Sequence, residues 1–127
     1  MLDRVVVDTG PAVGAAGSAT ATGYGPWVAG KVLAVYVTYG DSPPATTDFT
    51  LSDEADPAGE AIVSLTNTNT SQKLYPRRLL ETNDGTDITY NGTQKVYAEY
   101  VVAGRLKAVI AQANAADYVR AVVWMER

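Results

Sequence analysis

The sequence predicts an all-β protein, an antiparallel β-sandwich of jelly-roll type that carries an extended N-terminal arm. Three observations point there. Val (16), Thr (14) and Tyr (8) outweigh Leu (8) and Ile (3), which is the palette of strands rather than helices. Short runs of apolar or alternating residues are separated by turn signals every ~8–12 residues, giving about seven or eight strands. No long stretch keeps the 3.6-residue period of an amphipathic helix. At 127 residues the chain has room for one hydrophobic core.

The first 28 residues differ from the rest. Val5, Val6 and Val7 form a short apolar patch, followed by Asp8-Thr9-Gly10-Pro11, a Gly/Ala/Ser/Thr stretch to Gly25, and Pro26-Trp27-Val28. Each interior glycine costs a helix or strand roughly 0.5–1 kcal/mol relative to alanine. Residues 1–28 therefore read as an arm, and residues 29–127 as the sandwich. Two readings of the arm are open. It is a frayed terminus, or a strap that lays Val5–Val7 and Trp27 on another subunit.

Lys31–Tyr39 is β-branched, aromatic and nearly continuous in apolar residues, and reads as a central strand ended by Gly40-Asp41-Ser42-Pro43-Pro44. Thr47–Ser52 alternates, with Phe49 and Leu51 on one face, as in a half-buried strand. The acidic turn Asp53–Glu60 leads to a strand at Ala61–Thr66, and a polar loop over Asn67–Gln72 leads to Lys73–Leu80, where Pro76 demands an edge or a bend. Asn91-Gly92 is the preferred pair of a two-residue hairpin turn. Ala103-Gly104 reads as a second hairpin turn between Val96–Val102 and Leu106–Ala111, and Tyr118–Met125 as the closing strand.

Composition removes much chemistry. With no His and no Cys there is no imidazole or thiolate relay, no disulfide and no thiolate or imidazole metal site. A net charge of −4 argues against nucleic acid as a general partner, since phosphate affinity needs a basic surface. No run approaches the ~18 apolar residues of a membrane span. Met1-Leu2-Asp3-Arg4 opens with an acid near a base, so no secretory signal is expected.

What remains are weak constellations. Asp53, Glu54, Asp56 and Glu60 cluster in one turn, whereas catalytic carboxylate pairs come from separate strands held at fixed separation. A solvated turn accounts for them. Neither this cluster nor Asn83–Asp87 has the spacing of a calcium loop, so no metal and no cofactor are expected. Tyr36, Tyr39, Tyr97, Tyr100 and Tyr118 fill the core or its rim, or stack on sugars or partner proteins. Asn69-Thr70-Ser71 and Asn91-Gly92-Thr93 match the glycosylation sequon, which carries little without a leader. Tyr75-Pro76-Arg77-Arg78 follows a polar loop. Two adjacent arginines in extended chain point to opposite sides, so one at most faces a given partner. They form surface ion pairs, or one of them reaches an acidic neighbouring chain.

The order of these segments resembles a known family. A Gly/Ala/Thr-rich N-terminal stretch precedes Gly30–Tyr39, then Asp48-Phe49-Thr50-Leu51, the Thr66–Gln72 loop, Tyr75-Pro76-Arg77 and a final Val/Ala/Trp strand. This is similar to the jelly-roll decoration, or cement, proteins of tailed bacteriophages. The resemblance covers most of the chain from Gly30 onward and rests on order and texture, without a diagnostic motif. It implies a non-enzymatic virion structural protein made in the host cytoplasm and seated on the outer capsid surface. Its partners would be the major capsid protein and itself, a homotrimer in preference to a homodimer. The expected interface residues are Val5, Val6, Val7, Trp27, Tyr75, Pro76, Arg77 and Arg78. The alternatives are a tail or head-completion component and a carbohydrate-binding β-sandwich that uses exposed tyrosines.

Overall fold

The computed structural model describes residues 1–127 and is all-β. Its strands are β1 (Leu2–Asp8), β2 (Ala19–Gly40), β3 (Asp48–Asp53), β4 (Ala61–Leu65), β5 (Gln72–Leu74), β6 (Arg78–Leu79), β7 (Tyr97–Ala98), β8 (Val101–Ala113) and β9 (Tyr118–Glu126). All pairings are antiparallel.

The architecture follows from the 22-residue β2, which serves two sheets. Its first half pairs with β8, which pairs with β3 and then β4. Its second half, from Lys31 to Gly40, lies between β9 and β5, and β1 adds outside β9. The first sheet is thus β1-β9-β2-β5 and the second β2-β8-β3-β4, closed over one core as a β-sandwich. Gly30 turns the corner between them. Its φ is +148°, and a Cβ there would lie 2.4 Å from the Glu126 carbonyl oxygen, so only glycine fits.

Alternation places the core. Val32, Val35, Val37, Phe49, Leu51, Leu106, Ile110, Val119, Val123 and Met125 are fully buried from both sheets. Phe49 and Leu51 share the inward face of β3, as their spacing predicts. Pro76 ends the edge strand β5. Residues 76–100 then form a shallow excursion in which β6 pairs with β7.

Residues 1–28 are not an arm. β1 pairs along its whole length with β9, from Leu2 opposite Glu126 to Asp8 opposite Arg120. Val5 and Val7 enter the core, and Ala12, Ala19 and Val28 join them. The segment after β1 is pinned as well. Ala12 N–H donates to the Asp117 carbonyl at 2.7 Å, Ala116 N–H to the Ala12 carbonyl at 2.8 Å, and Val119 N–H to Thr9 Oγ1 at 3.0 Å. Gly23 and Gly25 serve close packing and not disorder, while Gly10, Gly14 and Gly17 take positive φ. A Cβ on Gly25 would meet Val7 Cγ2 at 2.9 Å, so β1 and β2 approach there as only glycine permits.

Both turn expectations are revised. At Asn91-Gly92 the chain does reverse, with Tyr90 N–H donating to the Gln94 carbonyl, but over three residues instead of two. Asn91 Oδ1 accepts from the N–H groups of Thr93 and Gln94, so Gly92 alone takes a positive φ, +84°. At Ala103-Gly104 there is no turn, because β8 runs unbroken through it. Gly104 lacks a side chain because a Cβ would lie 2.4 Å from Asp53 Oδ1, where the turn between β3 and β4 folds against β8.

Candidate functional site

Strand parity brings an exposed array together on the outer face of the first sheet. Val5 and Val7 point inward, so Arg4, Val6 and Asp8 point outward. On β9 the buried set Val119, Ala121, Val123 and Met125 leaves Arg120, Val122, Trp124 and Glu126 outside. Register then aligns the rows. Val6 lies opposite Val122, Val122 opposite Tyr36, and Tyr36 opposite Lys73. In the next row Arg4 lies opposite Trp124, which lies opposite Ala34. Lys31 stands opposite Glu126 at the corner.

Lys73, on the edge strand β5, reaches across this face. Its ammonium lies 4.7 Å from the centroid of the Trp124 ring and 5.6 Å from that of Tyr75, both within the range of cation–π attraction. Ala34 is buried although it lies outside the core cluster, covered from this aromatic and cationic side. Tyr75 is 63% exposed and Val6 44%. Arg120 Nε donates to Asp8 Oδ2 at 3.3 Å, whereas Arg4, Lys31 and Lys73 have no ion-pair partner.

The second sheet presents a smaller aromatic array. Trp27, 67% exposed, lies opposite Arg105, whose guanidinium sits 4.4 Å from the Tyr24 ring centroid. Arg105 also donates two hydrogen bonds to Glu54, from Nε at 2.6 Å and from Nη2 at 2.8 Å. That fork holds the Glu54 carboxyl below its ordinary range and raises the Arg105 guanidinium.

The residues expected at an interface therefore divide. Val5 and Val7 are core and carry no interface. Val6 and Tyr75 share the first sheet's outer face. Trp27 is exposed but belongs to the other sheet, so it forms no common strap with Val6. Pro76 lines an apolar groove of about 220 Å³ with Ile62, Leu65, Leu74 and Tyr75, between the edge strands β4 and β5. Arg77 Nη1 donates to the Leu33 and Pro76 carbonyls at 3.1 and 2.7 Å, while Arg78 pairs with Glu81 at 3.3 Å. The two arginines do take different partners. Both line a cleft with Glu60, Leu79, Glu81, Tyr97 and Tyr100.

The acidic turn is held by backbone N–H groups of its own and of β8. Asp53 accepts from Ala55 N–H and Ala103 N–H, and Asp56 from Ala58 N–H and Glu60 N–H. Asp84 is likewise occupied by Thr82 and Thr86, whose hydrogen bonds lower its carboxyl below the ordinary range. No group of three or more acidic side chains converges as a metal site would need. Among the tyrosines, Tyr39 and Tyr100 pack against the core, while Tyr36, Tyr97 and Tyr118 are exposed.

Arg4, Lys73, Val122 and Trp124 are the members of the first sheet's face that sequence reading passed over, whereas Tyr36 is weighed there as a stacking or partner-binding tyrosine. The signal was present in the alternation of β1 and β9, but only register shows that the four share one surface.

No family model matches the chain, and no curated protein does. Among solved structures, a chain described as "CBM4 structure and function" is similar at 10% identity and a TM-score of 0.29, the alignment covering 97% of this chain and 90% of that one. A likeness at this level carries no argument about function.

Proposed function

We propose that the protein is a virion structural protein of the decoration, or cement, class, which binds the major capsid protein on the outer capsid surface and reinforces it. The observation that supports this reading is the broad exposed face of the first sheet, where Val6, Val122, Tyr36, Lys73, Trp124 and Tyr75 lie side by side. A sheet face of this kind offers another macromolecule a wide contact, and Tyr, Trp and Arg are the side chains enriched at the centres of such contacts. Self-association as a trimer, in preference to a dimer, belongs to the same proposal.

A carbohydrate-binding module is the second reading, favoured by the exposed rings of Tyr36 and Tyr75. Against it stands Lys73, whose ammonium covers the Trp124 ring that a sugar would stack on. The test mixes the purified protein with capsids assembled without it, followed by sedimentation and a cryo-EM difference map, beside a glycan array. Ordered density on the capsid exterior with a blank array supports decoration. Glycan binding without capsid binding overturns it.

A further inference from the structure

The outer face of the first sheet also differs from the rest of the molecule in charge. It carries four cations, Arg4, Lys31, Lys73 and Arg120, against two carboxylates, Asp8 and Glu126. The remainder of the chain holds the other six cations and twelve of the fourteen carboxylates. A net acidic protein thus keeps a cationic face, while the other carboxylates fall outside its rows, many of them in the β3–β4 turn and in residues 76–100.

Three of those four cations make no ion pair, although Lys31 stands opposite Glu126. Five other basic side chains in the molecule have ion-pair partners or carbonyl partners: Arg77, Arg78, Lys95, Arg105 and Arg127. Arg120 is matched by Asp8, but Arg4, Lys31 and Lys73 have no such partner. Lys73 is held in place over Trp124, so its charge is positioned above an apolar bed instead of roaming in solvent. A cation ordered over aromatic surface is easily desolvated by an incoming carboxylate, and a flat bed of valine and aromatic rings excludes water around the new pair.

We infer that this face docks an acidic protein surface, with Lys73 as the anchor over Trp124 and Arg4 and Lys31 on the same face. The inference rests on the decoration reading for the identity of that surface, which is then an acidic patch of the capsid exterior. Charge complementarity selects it over a second copy, because like faces meeting about a two-fold axis would bring the uncompensated cations together.

The experiment has two arms. In the first, capsids assembled without this chain are titrated with wild-type protein, Lys73→Glu, Lys73→Gln, Arg4→Glu and, as control, Lys107→Glu on the opposite sheet, at low and high salt. The expected result is an affinity loss of about tenfold or more for Lys73→Glu and Arg4→Glu, a smaller loss for Lys73→Gln, and a change within about twofold for Lys107→Glu. Wild-type affinity should fall with salt. Circular dichroism should be unchanged; Arg4 holds no ion pair, so Arg4→Glu should keep the wild-type melting temperature, while the Lys73 variants lose only the contact with Trp124 and should melt slightly lower. Capsid binding that is indifferent to Arg4 and Lys73 overturns the inference while leaving the decoration reading standing.

In the second arm, Trp27→Phe leaves Trp124 as the sole tryptophan, and its emission is followed during titration with poly-L-glutamate. Saturable quenching that Lys73→Glu abolishes and Lys107→Glu preserves supports an acid-binding face even where capsids are not bound, a result that would sink the decoration reading alone. No response of Trp124 to poly-L-glutamate overturns the inference. So does dimerisation through this face, seen as a mass increase in sedimentation that Lys73→Glu removes, since it would assign the surface to a second copy.

Discussion

Val6 and Val7 are neighbours in sequence with opposite fates, and truncating each to alanine separates a packed strand from a loose arm. Val7 is fully buried, its Cγ2 facing Gly25 across the core. Val7→Ala removes two methyl groups from that interior. At ~0.8 kcal/mol per buried carbon the transfer loss is about 1.6 kcal/mol. The void adds about 1 kcal/mol if ~40 Å³ stays empty at ~24 cal/mol per Å³. Gly25 has no side chain with which to fill it. The expected destabilisation is therefore ~2–3 kcal/mol. Val6 sits on the exposed face, where surface substitutions shift stability by roughly 0.5 kcal/mol and lost strand propensity by less than ~1 kcal/mol. Urea denaturation followed by tryptophan emission measures both, the comparison being valid if the slope with denaturant is the same for all three proteins. Equal stability losses for the two variants would refute the placement of β1 in the sandwich.

Deleting Met1–Asp8 should abolish the cooperative thermal transition or lower its midpoint sharply, because it strips an entire edge strand from β9 and uncovers the core beneath Val5 and Val7; a truncated chain melting like wild type in calorimetry would count against this packing. Gly30→Ala should cost ~1–3 kcal/mol, since alanine strains at φ +148° and its Cβ meets the Glu126 carbonyl, whereas Gly59→Ala, strained at φ +65° but facing open space, should cost less; denaturation midpoints decide between them. Glu54 should titrate below an ordinary glutamate in an NMR pH series, and Arg105→Gln should return it toward the ordinary range. Because its folded value lies below the unfolded one, the stability it contributes is present above the unfolded value and disappears as pH falls through the folded one.

The amino-acid sequence by itself determined the fold class and most of the strand inventory. An excess of Val, Thr and Tyr, the apolar run Lys31–Tyr39, the alternation around Phe49 and Leu51, Pro76 at an edge and the closing run Tyr118–Met125 are local signals, set by pleat geometry and by what proline can and cannot pair with. It also excluded thiolate and imidazole chemistry through the absence of Cys and His. Tertiary structure decided what depends on partners distant in the chain. Glycines at 23, 25 and 30 look like flexibility in one dimension, yet in three they are the places where β1 and β9 come too close for a side chain. Gly104 reads as a turn until β8 is seen pressed against the β3–β4 turn. The candidate face is the clearest case. Arg4, Tyr36, Lys73 and Trp124 come from four different strands, and alternation says only that each points out of its own. Register between strands separated by up to 120 residues makes them one surface, and register is set by the packing of the whole core, because a slip of one residue would turn every buried valine to solvent.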